Sequence, residues 1–263
     1  MLIIFLTHDV DWDKKGAPIE HIMQRKDRFS EKVLNKASYE NPYYNIPEII
    51  DIEKRIGVKS TFFFRTFVGE SVNPPPSYDP KEYEEDIRYL VENGWEVALH
   101  SDPTSIDSLK KLRQEKNELE SITGVPITGN RVHYLKTKPY LYKMLSELGF
   151  SYDSTLKKFR NVISKHDFGF IRNEVIVFPI SFADFTLPSM LNDEKDVTEI
   201  LKEALKIFKG LAQEPKIMTI LWHNCSLKMK FGSKYEEVLK YLASFNDVKF
   251  LTGRELVNRL NFQ

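Results

Sequence analysis

The chain has 263 residues, 41% of them hydrophobic, with Lys+Arg and Asp+Glu both at 38. That length suits one large α/β domain with a substantial core, and the balanced charge offers no field for nucleic acid or an anionic membrane surface. One cysteine, Cys225, excludes an internal disulfide. The N-terminus has no basic leader and its apolar run stops at Thr7. No later stretch approaches the roughly 18 apolar residues of a membrane span, so the expected setting is cytoplasmic.

Leu2-Ile3-Ile4-Phe5-Leu6 reads as a strand buried on both faces, and it runs straight into Thr7-His8-Asp9-Val10-Asp11. Strand alternation puts Thr7, Asp9 and Asp11 on one face and His8 and Val10 on the other. Asp often opens a turn at such a place. Two carboxylates leaving a core on one face are costly unless something pairs with them, and a bound cation is the obvious partner. The polar stretch 12–45 that follows is long for a strand-to-helix loop and is expected to hold a helix around Ile22–Lys36.

Ile46-Pro47 opens a helix with Ile49, Ile52 and Ile56 on one face, ended by Gly57. Lys59–Phe64 is the second strand, and Asn73–Pro76 a stiff surface loop. A helix from Asp79-Pro80 to Asn93-Gly94 leads into strand Trp95–Leu99, which delivers His100. Ser105 or Asp107 is expected to cap a helix to about Ser121, and Val125–Gly129 leads to Arg131-Val132-His133. A helix near Pro139–Leu148 precedes Phe150–Asp153. Within 157–195 only Val175–Ile180 reads as a strand. Helix Val197–Phe208, strand Ile217–Trp222, helix Lys234–Ala243, strand Val248–Leu251 and helix Gly253–Leu260 close the chain. This alternation implies right-handed βαβ units, a mainly parallel sheet, and a closed or nearly closed barrel in preference to an open doubly wound sheet. No Gly-x-Gly-x-x-Gly turn follows the first strand, which argues against a dinucleotide.

Of the six histidines, His8, His100, His133 and His223 fall at or just past the C-terminal end of a predicted strand, the level at which barrels build their sites. Together with Asp9, Asp11 and Asp153 they suit a divalent transition metal, zinc first, held by imidazole and carboxylate.

In order and spacing these residues resemble the polysaccharide deacetylases with the NodB homology domain, carbohydrate esterase family 4. Thr7-His8-Asp9-Val10-Asp11 resembles the first motif of that family, Thr61-Phe62-Phe63 the strand that follows, and Gly94–His100 the approach to the second motif. Arg131 is similar to the arginine of the third, Asp153 to the aspartate of the fourth, and Leu221-Trp222-His223 to the closing Leu-x-His. Arg131–Leu135, Tyr152–Leu156 and Leu221–Asn224 further resemble a little-characterised branch linked to surface-polysaccharide biosynthesis. The resemblance covers almost the whole chain and implies one domain over 1–263, a distorted (β/α)7–8, TIM-like barrel that need not close, with 12–45 as an insertion.

Two departures stand out. Thr104 occupies the place of the second metal-binding histidine in His100-Ser101-Asp102-Pro103-Thr104, so Asp102 or His133 has to supply the missing ligand, and imidazole favours His133. Val10 stands where many members carry the metal-binding acid, which leaves that task to Asp11. The resemblance then implies a metal held by Asp11, His100 and His133, acting on the N-acetyl group of a sugar or polysaccharide. Asp9 is the expected general base, oriented by Arg131, and His223 the acid that protonates the leaving amine, tuned by Asp153. Tyr134 and Trp222 are candidates to pack against a sugar ring.

Two rival classes remain open at this level. A glycosidase needs carboxyls flanking a bond roughly 5 to 9.5 Å apart, whereas Asp9 and Asp11 aim at one point, so that class would have to draw on Asp153 or Asp184. A catalytically degenerate barrel that binds carbohydrate without hydrolysis is the other, and Thr104 is its best support. Cys225 beside His223 is a poor nucleophile candidate, because a lone buried thiol is usually inert.

Overall fold

Residues 1–66, 77–157, 170–172, 174–184, 197–210 and 216–261 are described by the computed structural model of the chain. The loop expected at Asn73–Pro76 and much of 157–195 lie outside those residues. The first strand, β1 (Leu2–Val10), is buried along its whole length. It pairs in parallel with β2 (Thr61–Phe64) at Thr7–Val10, with β9 (Lys216–Leu221) along Leu2–Thr7, and with β10 (Val248–Phe250) at Leu2–Ile4. Beyond β2 the sheet runs through β3 (Glu96–Ser101), β4 (Gly129–Val132) and β5 (Tyr152–Asp153) to β7 (Val175–Val177), with β6 (Phe170–Arg172) antiparallel at that edge. On the other side β9 carries β8 (Ile180–Ala183).

The eight parallel strands of this path curl into a distorted, incomplete (β/α)7–8 barrel, as the sequence implied. The run Val175–Ile180, expected as one strand, changes partner in its middle. Pro179 has no N–H to give to a ladder, so β7 pairs with β5 and β8 pairs with β9. A single parallel bridge, Lys157 to Ile180, ties β8 back to the segment after β5.

Alternation along β1 sorts its side chains into two cores. Ile3 and Phe5 point inward and pack with Phe63, Ala98, Tyr152, Ile176, Phe178 and Ile217, plugged from below by Leu256 and Val257 of α9 (Gly253–Asn261). Leu2, Ile4, Leu6 and Val10 point outward. They meet buried side chains from α3 (Ile46–Ile56), α4 (Glu84–Glu92), α5 (Leu109–Thr123), α6 (Leu141–Glu147), α7 (Val197–Gly210) and α8 (Tyr235–Ala243). Each such side chain contributes about 1.5–3 kcal/mol on leaving water, so β1 is pinned from both faces and its C-terminal end is a fixed platform. The Tyr152 ring needs two glycines: a Cβ at Gly129 or Gly253 would lie 2.1 or 2.3 Å from it.

Helix boundaries differ from expectation in two places. The helix expected over Ile22–Lys36 is broken into α1 (Ile19–Met23), a 3-10 turn at Lys26–Arg28 and α2 (Glu31–Leu34), because Ser30 starts a new helix by accepting Val33 N–H at 3.4 Å. Ser108, not Ser105 or Asp107, caps α5 through Lys111 N–H. No helix among the described residues is long and apolar enough to cross a membrane.

A candidate metal and acid–base site at the strand ends

On the inward face of β1, above Phe5, come Thr7 and Asp9. Arg131, on β4 across the barrel, reaches both: Nη1 donates to Asp9 Oδ1 at 2.6 Å and to Thr7 Oγ1 at 3.0 Å. The rest of the guanidinium is fixed by Nε to Ser154 O at 3.0 Å, Nη2 to Ser154 Oγ at 2.8 Å, and the face of Phe63 at 4.3 Å. Burial alone would raise the Asp9 pKa. Arg131, helped by His100 and His223, outweighs it and holds the carboxyl below its usual range.

Asp11 lies just past the end of β1. Its Oδ1 is 3.3 Å from His100 Nε2 and 3.3 Å from His133 Nδ1, and those two nitrogens are 3.1 Å apart. Metal bonds of 2.0–2.1 Å in tetrahedral geometry place donors about 3.3 Å apart, so this triangle has the dimensions of three ligands of one small divalent ion. Other features fit the same use. His100 Nδ1 sits 2.8 Å from Arg131 O, which assigns the proton to Nδ1 and leaves the Nε2 lone pair facing Asp11. Asp11 Oδ1 is buried with no aligned hydrogen-bond donor. Burial favours the uncharged Asp11, but its imidazole neighbours, the charged His223 among them, outweigh burial and hold the carboxyl well below its ordinary value. For His133, burial wins over Asp11 and holds the ring neutral, as a ligand must be.

The two replacements considered for the missing second-motif histidine end up in different places. Asp102 faces away: its Oδ2 accepts from Arg65 Nη2 at 3.0 Å, and its Oδ1 from both Thr104 N and Thr104 Oγ1 at 2.8 Å. Thr104 is therefore occupied with its own turn. His133 stands at the triangle.

His223, just past β9, closes the site from the side opposite Arg131's strand. Its Nε2 is 3.9 Å from Asp9 Oδ2 and 3.7 Å from Asp11 Oδ2. Its Nδ1 is 2.7 Å from Asp184 Oδ1, and Asp184 Oδ2 also accepts the His223 backbone N–H at 2.8 Å. Burial opposes a charged ring, but Asp184, with Asp11 and Asp9 behind it, lifts the His223 pKa to about 10.

Two expected roles need correction. The carboxylate behind His223 is Asp184, because both Asp153 oxygens are engaged elsewhere: Oδ1 accepts from Asn130 Nδ2 and Thr155 Oγ1, Oδ2 from Thr155 N. Asp153 locks β5 to the strand that carries Arg131. Trp222 is fully buried on the helix side of the sheet against Tyr235, at 5.2 Å, and Phe231. It is a core residue. Tyr134 does line the cavity, 45% exposed, its ring tilted against His133 and held at φ +56°, with Leu135 also left-handed at +53°. Two adjacent non-glycine residues in that region store strain beside the site. His8 points outward as alternation requires, bonded to Glu53 Oε1 at 2.8 Å and Trp222 O at 2.6 Å. Glu53 also accepts from Ser60, Trp95 and Tyr235, so this histidine belongs to a buried polar brace outside the site. Burial raises the Cys225 thiol well above its ordinary pKa, which rules it out as a ready nucleophile.

Above the triangle opens a cavity of about 520 Å³, inside the 300–1,000 Å³ range of small-molecule sites. Asp9, Asp11, His100, His133 and His223 form its floor. One wall comes from 224–231, and the insertion contributes Arg28. The insertion is docked there: Phe29 makes an antiparallel bridge to Met229, and Asn45 Nδ2 donates to Asn224 O at 2.8 Å. Sequence reasoning missed Arg28, and placed Asp184 only as a carboxylate a glycosidase would use, not as the partner of His223. Asp184 sits directly after β8, a strand-end position like those of Asp9 and His223, but the broken strand around Pro179 hid it.

No family model matches the chain, and no curated protein matches it significantly in sequence. Solved structures match its fold. A putative polysaccharide deacetylase from Mycobacterium smegmatis aligns over 100% of this chain and 91% of its own, at TM-score 0.68 and 19% identity. A probable polysaccharide deacetylase from Pseudomonas aeruginosa aligns over the same shares at 0.68 and 15%. An allantoinase aligns over 100% and 91% at 0.67 and 15%. The chain thus shares the fold of the polysaccharide deacetylases, a fold also found in that allantoinase.

Proposed function

We propose that the protein is a metal-dependent hydrolase of non-peptide amide bonds, removing an N-acetyl group from a sugar or polysaccharide. The observation that carries this reading is the triangle of Asp11, His100 and His133 donor atoms, flanked by an ionised Asp9 and by His223. A divalent ion, zinc first, would there polarise the amide oxygen and activate the attacking water. Asp9, kept ionised and aimed by Arg131, accepts the proton of that water. His223 carries a proton at neutral pH because Asp184 holds it, and delivers it from Nε2 to the departing amine. Asp9 and Asp11 converge on one side of the reacting bond, which supports hydrolysis of an acyl group over cleavage of a glycosidic bond.

The test is acetate release from N-acetylglucosamine oligomers by zinc-loaded protein. Asp9→Asn should lower the rate by about 10²–10⁴-fold, the usual loss for a general base, with zinc still bound. Absence of acetate from every acetamido sugar tried, with zinc bound, contradicts the hydrolase reading. One observation favours a second reading, a barrel that binds carbohydrate without turning it over: Thr104 and Asp102 are tied to each other and to Arg65, not to the triangle. Sugar binding without acetate release is the outcome that selects it.

A further inference from the structure

The buried brace around His8 lies on the helix side of the sheet, yet it reaches the site through a single peptide unit, the one that joins Trp222 to His223. The carbonyl of that unit, Trp222 O, is 2.6 Å from His8 Nδ1, and its N–H, on His223, donates to Asp184 Oδ2 at 2.8 Å. The other Asp184 oxygen is 2.7 Å from His223 Nδ1. One rigid plane is therefore gripped at both ends. The carboxylate at the site end is the same one that holds the His223 ring.

The partners of His8 fix where its protons sit. A carbonyl only accepts, so Nδ1 is the donor to Trp222 O. Nε2 is 2.8 Å from Glu53 Oε1, and that carboxylate also accepts from Ser60 Oγ, Trp95 Nε1 and the Tyr235 hydroxyl. His8 and Glu53 are both 0% exposed, and Glu53 ties the ring to α3 behind the barrel. Phe62 and Tyr235 pack against the imidazole with ring centroids 4.6 and 5.6 Å away. Trp222 N donates to Thr7 O at 2.9 Å, which anchors the residue on its other side. A brace for stability needs only the Nε2 end of His8. The Nδ1 end meets the one carbonyl whose rotation would swing the His223 N–H away from Asp184.

We propose that His8 is a positioning residue for His223: by holding the Trp222 carbonyl it fixes the peptide plane, and through that plane the seat of Asp184 and the direction of His223 Nε2. That the aimed group is an acid rests on the hydrolase reading; the clamp itself does not.

The test separates the two ends of the ring in the full chain. His8→Gln puts an amide where Nε2 stood and keeps a donor for Glu53, whereas His8→Asn puts one where Nδ1 stood and keeps a donor for Trp222 O. Trp222-His223 is the only Trp-His step in the sequence, so isotope labels at Trp carbonyl carbons and His amide nitrogens give one NMR signal from this peptide. His8→Gln should shift that signal in both dimensions and lower kcat for acetate release by roughly 10- to 100-fold with KM unchanged. His8→Asn should keep the signal near its native place and retain most of the rate, while melting lower than His8→Gln because buried Glu53 loses its imidazole partner. Rates that simply follow melting temperature, or a signal that stays put in His8→Gln, would overturn the proposal. If either variant fails to fold, a neutron structure of the native chain decides: deuterium on His8 Nδ1 aimed at Trp222 O is required, and its absence overturns the clamp. A native chain that releases no acetate, with the NMR signals moving as stated, removes the hydrolase reading and keeps the clamp. Native acetate release that persists undiminished in His8→Gln does the reverse.

Discussion

Asp9 and Asp11 are two residues apart on one strand face, yet different neighbours settle their charges. Arg131 answers Asp9 at 2.6 Å, and His100 and His133 answer Asp11 at 3.3 Å each. Alternation along a buried strand made that shared face legible from sequence, and it placed His8 on the opposite one. What spacing could not give was the partner of His223. Asp153 is expected from its resemblance to the aspartate of the fourth motif, but its oxygens accept from Asn130 and Thr155, and Asp184 takes the role from a strand broken by Pro179. The consequence is testable by pH. Asp184 raises the folded His223 pKa to about 10, so the proton on Nε2 is present at neutral pH and lost as the medium passes through that value. A cation on Asp11 would remove part of that rise and leave Asp184 as the main support. Asp184→Asn should therefore move the alkaline limb of the acetate-release profile to lower pH by a unit or more, whereas Asp153→Asn should not. An alkaline limb that stays put in Asp184→Asn contradicts the assignment.

At the scale of elements, the helices behind the site also carry buried acid. Glu115, on α5, accepts from Thr66 Oγ1 at 3.0 Å and from Asp102 N at 3.1 Å, beneath the turn that holds Asp102 and Thr104. Burial is the main cause that lifts its pKa to about 8, only partly offset by those donors. A carboxyl raised on folding gives its full stability below its unfolded pKa and loses it as pH climbs through the folded one. The wild-type melting temperature should thus fall between about pH 5 and pH 9, and Glu115→Gln, which keeps the shape and needs no proton, should flatten that slope. An unchanged slope measured by calorimetry would show that Glu115 is ionised throughout. The elements themselves were largely legible: Gly57 stops α3 at φ +80° as expected. The insertion was less so, since only Ile22 and Phe29 of its expected helix are buried, and Ser30 restarts the helix between the two halves.

For the whole molecule, the alternating strands and helices specified the curled parallel sheet, because buried parallel strands must be apolar on both faces and their crossovers must be right-handed. The rim was not legible. Arg28 and Lys157 are separated by about half of the chain and meet one cavity only through the Phe29–Met229 and Lys157–Ile180 bridges, contacts with no periodic signal. The floor was legible because its residues sit at one level of one sheet, with His133 beside Asp11 and His100; we propose that His133 takes the place that Thr104 leaves. That substitution of one imidazole for another is the central claim, and zinc binding followed by thermal unfolding tests it most directly. Zinc at a hundred times its Kd should stabilise the native chain by about 2.7 kcal/mol, a rise of roughly 5–10 °C for a protein of this size, with one ion bound per chain. His133→Ala should abolish that rise, while Thr104→Ala should retain it. Full zinc stabilisation in His133→Ala, or none in the native protein, would contradict the account.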